Sequence, residues 1–365
     1  MKISFLLAPM AELGHRALRE LIEQYAPAGA GCDEYFTEMI SAPGLLGGGP
    51  FEKWYLDAGP CPDRVVYQLA GADAERLAAA AALLDRYECA GIDINMGCAA
   101  PAITRTGAGV RWMEDLDRAG AMIGRVRKVT KKRLSVKLRL GPREDFDYLV
   151  RFCRRLEAEG VEFITLHPRT AGEKFRRKAR WDYVGRLKRE LGIPVAGNGD
   201  VTGAADLLRR AVSGECDAVM AGRAAVRAPW IFARARRMEA AGQGAGAAAG
   251  AGILAAETVT AAGTARVLAA DRSAGDPEPG KPAPGEKIVV GLEETARRFL
   301  DLLSRYQPPE FHLSRARRFF RYYCDNFVWA EYLRNRINRE ETLEGIGTVI
   351  CDYCNEHPEE RETAM

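Results

Sequence analysis

Short apolar runs of strand character recur eight times in the chain, at 3–10, 32–39, 64–71, 91–98, 134–141, 163–170, 194–201 and 218–225. Between most of them lie stretches whose apolar residues return at helical spacing, at 15–25, 74–87, 115–129, 147–159, 181–191 and 204–212. A further helix is predicted at 229–238, opening on Pro229, which suits a first helical turn. Only the connection 39–64, with its Gly47-Gly48-Gly49-Pro50, lacks a long helical pattern. Strands that alternate with helices pair in parallel, and eight is the number at which such a sheet closes into a barrel. An open doubly wound sheet is the competing architecture. It calls for a glycine fingerprint after the first strand, and the turn 11–16 holds only Gly14. The predicted fold class is therefore α/β, a (β/α)8 TIM barrel over 1–239, with more chain to follow.

From 240 to 287 the composition shifts to Ala and Gly and then to a Pro-rich stretch around Asp276–Gly285, which reads as a linker or insertion with few large side chains to bury. The region 288–365 is different. Residues 292–304 form an amphipathic helical pattern and 313–335 supply one or two more, so a small helical domain is predicted after the barrel.

Composition narrows the function classes. The chain has 365 residues, 47% hydrophobic and 28% charged, which excludes a fibre or a disordered chain. Its net charge of +3 excludes a uniformly basic nucleic-acid protein, but averages hide local patches. Between 311 and 339 there are seven Arg against Asp325 and Glu331, interleaved with Phe319, Phe320, Tyr322, Tyr323, Phe327, Trp329 and Tyr332. Such a surface fits an RNA backbone, with Arg315, Arg317, Arg318, Arg321 and Arg334 as its contacts. The plainer reading gives the rings to the helical core and leaves the arginines solvated. Nine scattered cysteines suit reduced thiols in the cytoplasm, where a monomer is expected. The first apolar run is too short for a signal peptide, and no run reaches the ~20 residues of a membrane span. Cys351-x-x-Cys354-x-x-His357 has metal-like spacing but offers three ligands where structural zinc takes four, so no metal is assigned.

The chemistry gathers at the strand ends. Asp93-Ile94-Asn95-Met96-Gly97-Cys98 ends a strand with a thiol at its tip, and Lys137 and Arg139 alternate on the next, hence on one face. His167-Pro168-Arg169-Thr170 ends the sixth, Asn198-Gly199-Asp200 the seventh and Gly222-Arg223 the eighth. Barrels commonly hold phosphate in the loops after strands seven and eight, where glycines let backbone amides approach an anion. Each segment alone is weak; five at successive strand ends make a site.

These segments, with Ala8-Pro9-Met10, Thr37-Glu38-Met39, Gln68-Leu69-Ala70-Gly71, Gly107-Ala108-Gly109, Trp181-Asp182 and 220–232, resemble the flavin-dependent tRNA-dihydrouridine synthase family from residue 7 to about 232. The resemblance implies FMN on the barrel mouth, reduced by NADPH, that passes hydride to C6 of a uridine, most naturally one in tRNA. It implies Cys98 as proton donor to C5 and Asn95 as a group that orients the base. An ordinary thiol, with a pKa near 8.5, is mostly protonated at neutral pH and suits that role. Gln68, Lys137 and His167 are implied beside the isoalloxazine, Ala8, Pro9 and Met10 along the ring, and Asn198, Gly199, Asp200, Gly222 and Arg223 around the phosphate. The sequence departs from the family pattern at Ala99, Pro101, Ala102 and Pro168. Two other readings stay open: an FMN barrel reductase of a small enone or pyrimidine, and an RNA-binding protein on a relic barrel.

Overall fold

The computed structural model describes residues 4–26, 30–246 and 289–365. Eight parallel strands close into one barrel in chain order, with β1 (Ser4–Leu7) pairing both β2 (Glu34–Ser41) and β8 (Ala218–Ala221). The others are β3 (Val65–Ala70), β4 (Gly91–Met96), β5 (Arg133–Arg139), β6 (Phe163–His167) and β7 (Val195–Asn198).

The period-two alternation of these strands sorts the residues into two layers. Leu7, Tyr35, Tyr67, Ile92, Ile94, Leu134, Val136, Ile164, Val195 and Val219 face outward into the large core beneath the helices. Leu6, Phe36, Val66, Phe163, Ala196, Ala218 and Met220 fill the barrel interior as a separate cluster. Further along the same inward face the side chains become polar: Gln68 lies two after Val66, His167 four after Phe163, and Asn198 two after Ala196. The same inward register that packs the barrel therefore delivers the polar groups to its C-terminal end.

Helices cover the outside where predicted, at Arg16–Glu23, Ala74–Leu84, Leu116–Val129, Phe146–Ala158, Asp182–Glu190 and Ala204–Val212. Asp73, Asp115 and Asp145 each cap the helix that follows through a side-chain oxygen, satisfying amides the helix cannot. The β2–β3 connection carries only short helical pieces, Ala42–Gly47, Glu52–Tyr55 and a 3-10 turn at Pro62–Arg64, as its glycines foretell. The helix expected at 229–238 begins at Ile231 and runs to Gly246, into the stretch read as linker; 247–287 lies outside the described residues.

Four helices follow, Leu292–Tyr306, Pro309–Tyr323, Ala330–Arg339 and Leu343–Glu356, more than the sequence pattern separates. Their core is aromatic. Phe299 stacks on Phe319 at 3.7 Å, Phe319 on Tyr323 at 5.0 Å, and Phe320 meets Phe319 edge-on at 5.2 Å. A two-stranded antiparallel ribbon, Val289–Gly291 with Glu362–Ala364, closes this domain on itself. Its first helix packs along Arg16–Glu23 and its second against Arg223–Arg227, beside the barrel mouth. Among the described residues, no helix is long and apolar enough to cross a membrane.

Candidate active site at the barrel mouth

The C-terminal ends of the strands surround a cavity of about 600 Å³. Ala8, Pro9, Met10, Gln68, Asn95, Cys98, Lys137, His167, Asn198, Gly199, Asp200, Gly222 and Arg223 all line it. The sequence-derived cofactor and catalytic residues are thus brought together around one opening.

Its floor is a buried polar chain. Asn95 Nδ2 donates to Gln68 Oε1 at 2.9 Å, Gln68 Nε2 donates to Asp93 Oδ2 at 2.7 Å, and Ser135 Oγ donates to Asp93 Oδ1 at 2.6 Å. Burial pushes the Asp93 carboxyl up to about 6, despite those donors and nearby Lys137. Asn95 Oδ1 in turn accepts from the Cys98 amide at 3.0 Å, which fixes the start of the cysteine loop. The Cys98 carbonyl accepts from Val110 N at 3.0 Å. A Cβ at Gly109, where φ is +63°, would collide with that carbonyl, so glycine is required there. The loop that departs from the family pattern at Ala99, Pro101 and Ala102 borders the site: Ala99, Ala100 and Pro101 line the mouth, and Pro101 opens a short helix, Pro101–Thr104.

The opposite wall is cationic. Burial, and then Arg139 beside it, lowers Lys137 to about 8. Arg169, 2% exposed, donates from Nη2 to both oxygens of Asp200 at 2.7 Å, and its Nη1 lies 2.9 Å from His167 Nε2. Burial, and then Lys137, Arg139, Arg169 and Arg223, lowers the His167 pKa far below its usual range, so the ring is neutral. Because a guanidinium only donates, Nε2 must be the acceptor, and the ring proton sits on Nδ1. Asn198 Nδ2 donates to the Met220 carbonyl at 2.8 Å and joins the ends of β7 and β8. Trp181 Nε1 donates to the Gly199 carbonyl at 2.9 Å, and its ring lies where a side chain at Gly197 would go. At Gly199 φ is +123° and a Cβ would meet His167 at 3.0 Å; at Gly222 it would meet Met10 Sδ at 3.2 Å.

This mouth fits FMN. The volume is that of a ligand pocket; Lys137, Lys174 and Arg223 supply cations, and the one carboxylate lining it, Asp200, is already engaged by Arg169. Gly199 and Gly222 leave backbone exposed where side chains would fill the cradle.

Lys174, Phe175, Arg318 and Tyr322 also line the mouth. The sequence marks Arg318 only as an RNA contact, and nothing at strand spacing marks the other three, because they reach the mouth from a loop and from the helical domain. β2 explains how that domain is seated. The register slips between Phe36 and Met39, a bulge that turns Glu38 aside, and Glu38 Oε2 accepts from Arg315 Nη1 at 2.8 Å with both side chains at or below 5% exposure.

Arg315 is therefore corrected as an RNA contact: its guanidinium is buried in the seam between the two domains. Arg317, Arg318, Arg321 and Arg334 line a second cavity of about 700 Å³ beside the mouth. Arg318 pairs there with Glu12 at 2.6 Å, Arg334 with Asp325 at 2.6 Å and Glu331 at 3.0 Å, and Arg317 donates to the Glu340 carbonyl at 2.8 Å. Cys354 is buried in its helix, and among the described residues His357 gathers with Glu359 and Glu360 instead of the two cysteines.

A family model of dihydrouridine synthase matches residues 6–248, well over half of the chain. The chain belongs to the dihydrouridine synthase family. It is 34% identical over 236 residues to a probable tRNA-dihydrouridine synthase of Aquifex aeolicus, covering 62% of this chain and 71% of that protein. It is 30% identical over 232 residues to tRNA-dihydrouridine synthase B of Pasteurella multocida, covering 64% and 68%. With the tRNA-dihydrouridine(16) synthase of Cupriavidus necator it shares 32% identity over 244 residues, covering 63% and 72%. The family match ends at 248, so the helical domain that roofs the mouth lies beyond it.

Proposed function

We propose that this dihydrouridine synthase reduces a uridine of tRNA to 5,6-dihydrouridine, with FMN in the barrel mouth and NADPH as reductant. The observation that carries the reading is the meeting of Cys98, Asn95 and Lys137 on one cavity, in a chain of this family; the names of its relatives supply the RNA class. FMN reduced by NADPH supplies the hydride that goes to C6.

The protein's own groups do the rest. Cys98 gives its thiol proton to C5, and the C5–C6 double bond becomes single as the S–H bond breaks. The sulfur is left as thiolate and takes its proton back from solvent. Lys137 and Arg139 both feel charge on that sulfur, so they favour the thiolate as it forms. Asn95 holds the Cys98 amide through its oxygen and keeps the thiol in register with the base. Lys137 offers a cation to the anionic edge of a reduced flavin. His167, fixed by Arg169 with its proton on Nδ1, remains neutral and can only donate from that side. Because C5 and C6 are shielded in a stacked base, the uridine enters the mouth extruded.

The test is stopped-flow oxidation of the NADPH-reduced protein by unmodified tRNA, with nucleoside mass spectrometry of the product. Dihydrouridine appears with wild type. Cys98→Ala slows RNA-dependent oxidation by at least about 10²-fold, the usual worth of a positioned acid, while reduction by NADPH is unchanged. Oxidation by free uridine or a small enone as fast as by tRNA would refute the RNA reading.

A further inference from the structure

The connection from β6 to the Asp182–Glu190 helix carries Lys174-Phe175-Arg176-Arg177-Lys178, five consecutive residues that are all exposed. Four like charges in five residues repel one another, and the connection has little to relieve them. Its single carboxylate, Glu173, accepts from Arg180 and from the Thr170 amide, and those contacts hold it down at about 2. Arg177 approaches it only to 3.8 Å. Among the described residues, no ion pair engages Lys174, Arg176 or Lys178.

The loop is nevertheless held firmly in place. Arg169 Nε donates to the Arg177 carbonyl at 2.5 Å, Arg176 N to the Glu173 carbonyl at 2.9 Å, and Ala179 N to Asp200 at 2.7 Å. Lys174 has a φ of +51°, unusual for a side chain without a short polar group. Arg169 and Asp200 of the active site thus fix the backbone of a loop whose cations are largely unneutralised. A pinned cluster of this kind carries its self-repulsion until an anion meets it.

The position of the cluster selects the anion. Lys174 and Phe175 line the mouth, whereas Arg176, Arg177 and Lys178 line neither the mouth nor the groove on the helical domain. A lone phosphate of a flavin or a dinucleotide is held by donors that converge on a concavity. A row of exposed cations outside any cavity fits successive phosphates of an extended strand, which fix register without reading sequence. Phe175, 60% exposed with the Arg223 guanidinium 4.7 Å from its ring centre, presents a face on which a base can stack.

We propose that the β6 loop, through Arg176, Arg177 and Lys178, clamps the phosphates of the RNA strand flanking the uridine that enters the mouth. This rests on the reading that the substrate is RNA. The flavin-loaded full chain is tested as Arg176→Gln/Arg177→Gln/Lys178→Gln against wild type, by binding of a tRNA transcript across a salt series and by the rate of flavin reduction at varied NADPH. The plot of log affinity against log salt becomes shallower by about 2 to 3, close to one unit for each phosphate no longer neutralised, while NADPH reduction is unchanged. Arg176→Lys/Arg177→Lys, which keeps the charge, retains the wild-type slope.

An unchanged slope overturns the clamp. So does a raised NADPH requirement with an unchanged RNA slope, which assigns the loop to the dinucleotide. A wild type that binds the transcript but is not oxidised by it refutes the enzymatic reading and leaves the clamp standing on its slope.

Discussion

Two regions of this protein are rich in arginine, and they differ in what their charge is doing. In the helical domain Arg315 is buried on Glu38, Arg318 is paired with Glu12 and Arg334 with two acids. In the β6 loop, four cations share one carboxylate that is already committed. The first region holds the larger number of positive residues and the smaller fraction of uncommitted ones. Counting residues measures charge; only geometry says whether it has been spent on the protein itself.

The largest effect expected from this contrast is on stability. Arg315→Ala leaves Glu38 buried without its cation, and breaking a buried pair costs about 3–5 kcal/mol. Denaturant unfolding measures it, and Glu38→Met/Arg315→Met restores much of the loss because no charge is left stranded. If the single variant unfolds at the wild-type midpoint, Arg315 is not a structural cation.

The next effect falls on RNA affinity. Arg318→Gln/Arg334→Gln/Arg336→Gln, which removes three helical-domain cations that all have acidic partners, shifts the salt slope by less than the loop variant, although both remove three cations. Equal slopes would erase the distinction between spent and free charge.

A smaller effect concerns a cation of a third kind, buried in the mouth. Lys137 titrates at about 8 in place of 10.5. Between those values the unfolded chain holds the proton and the folded one does not, so raising the pH from 8 towards 10.5 favours folding at this site. Affinity for flavin runs the other way and falls as pH rises through 8, because the cation is lost. Melting and flavin titration of the flavin-free protein at pH 7 and 9 should show the opposed trends, and Lys137→Arg, which keeps its charge, should flatten both. The smallest effect is Arg334→Gln alone: pairs of this exposure are worth about 0–1 kcal/mol, at the limit of a melting curve.

Much of the barrel is legible in the sequence because its inward register is simple. Asp93 and Asn95, or Lys137 and Arg139, are two apart, so each pair must share a face wherever the strand lies. What escapes is held by contacts with no period. Tyr322 meets the mouth because a bulge at Glu38 gives Arg315 a partner 277 residues away, and no local pattern encodes such a distance. The aromatic tail allows two readings, and Phe299, Phe319, Phe320 and Tyr323 prove to be core, while Trp329 and Tyr332 stay exposed. The basic run at 174–178 stands in plain view between the sixth strand and Trp181, but its significance depends on Glu173 being taken.

The ribbon between Val289–Gly291 and Glu362–Ala364 sets an order on how the enzyme matures. A ribosome that has released β8 has delivered every strand of the barrel, which can then close onto β1. The helical domain cannot be clasped until some 140 residues later, when its second strand emerges to meet the first. During synthesis there is thus an interval in which all eight barrel strands exist and the helical domain beside the mouth does not. Arg318 and Tyr322 come later in the chain than every barrel strand, so the side of the mouth they line is completed after the barrel itself.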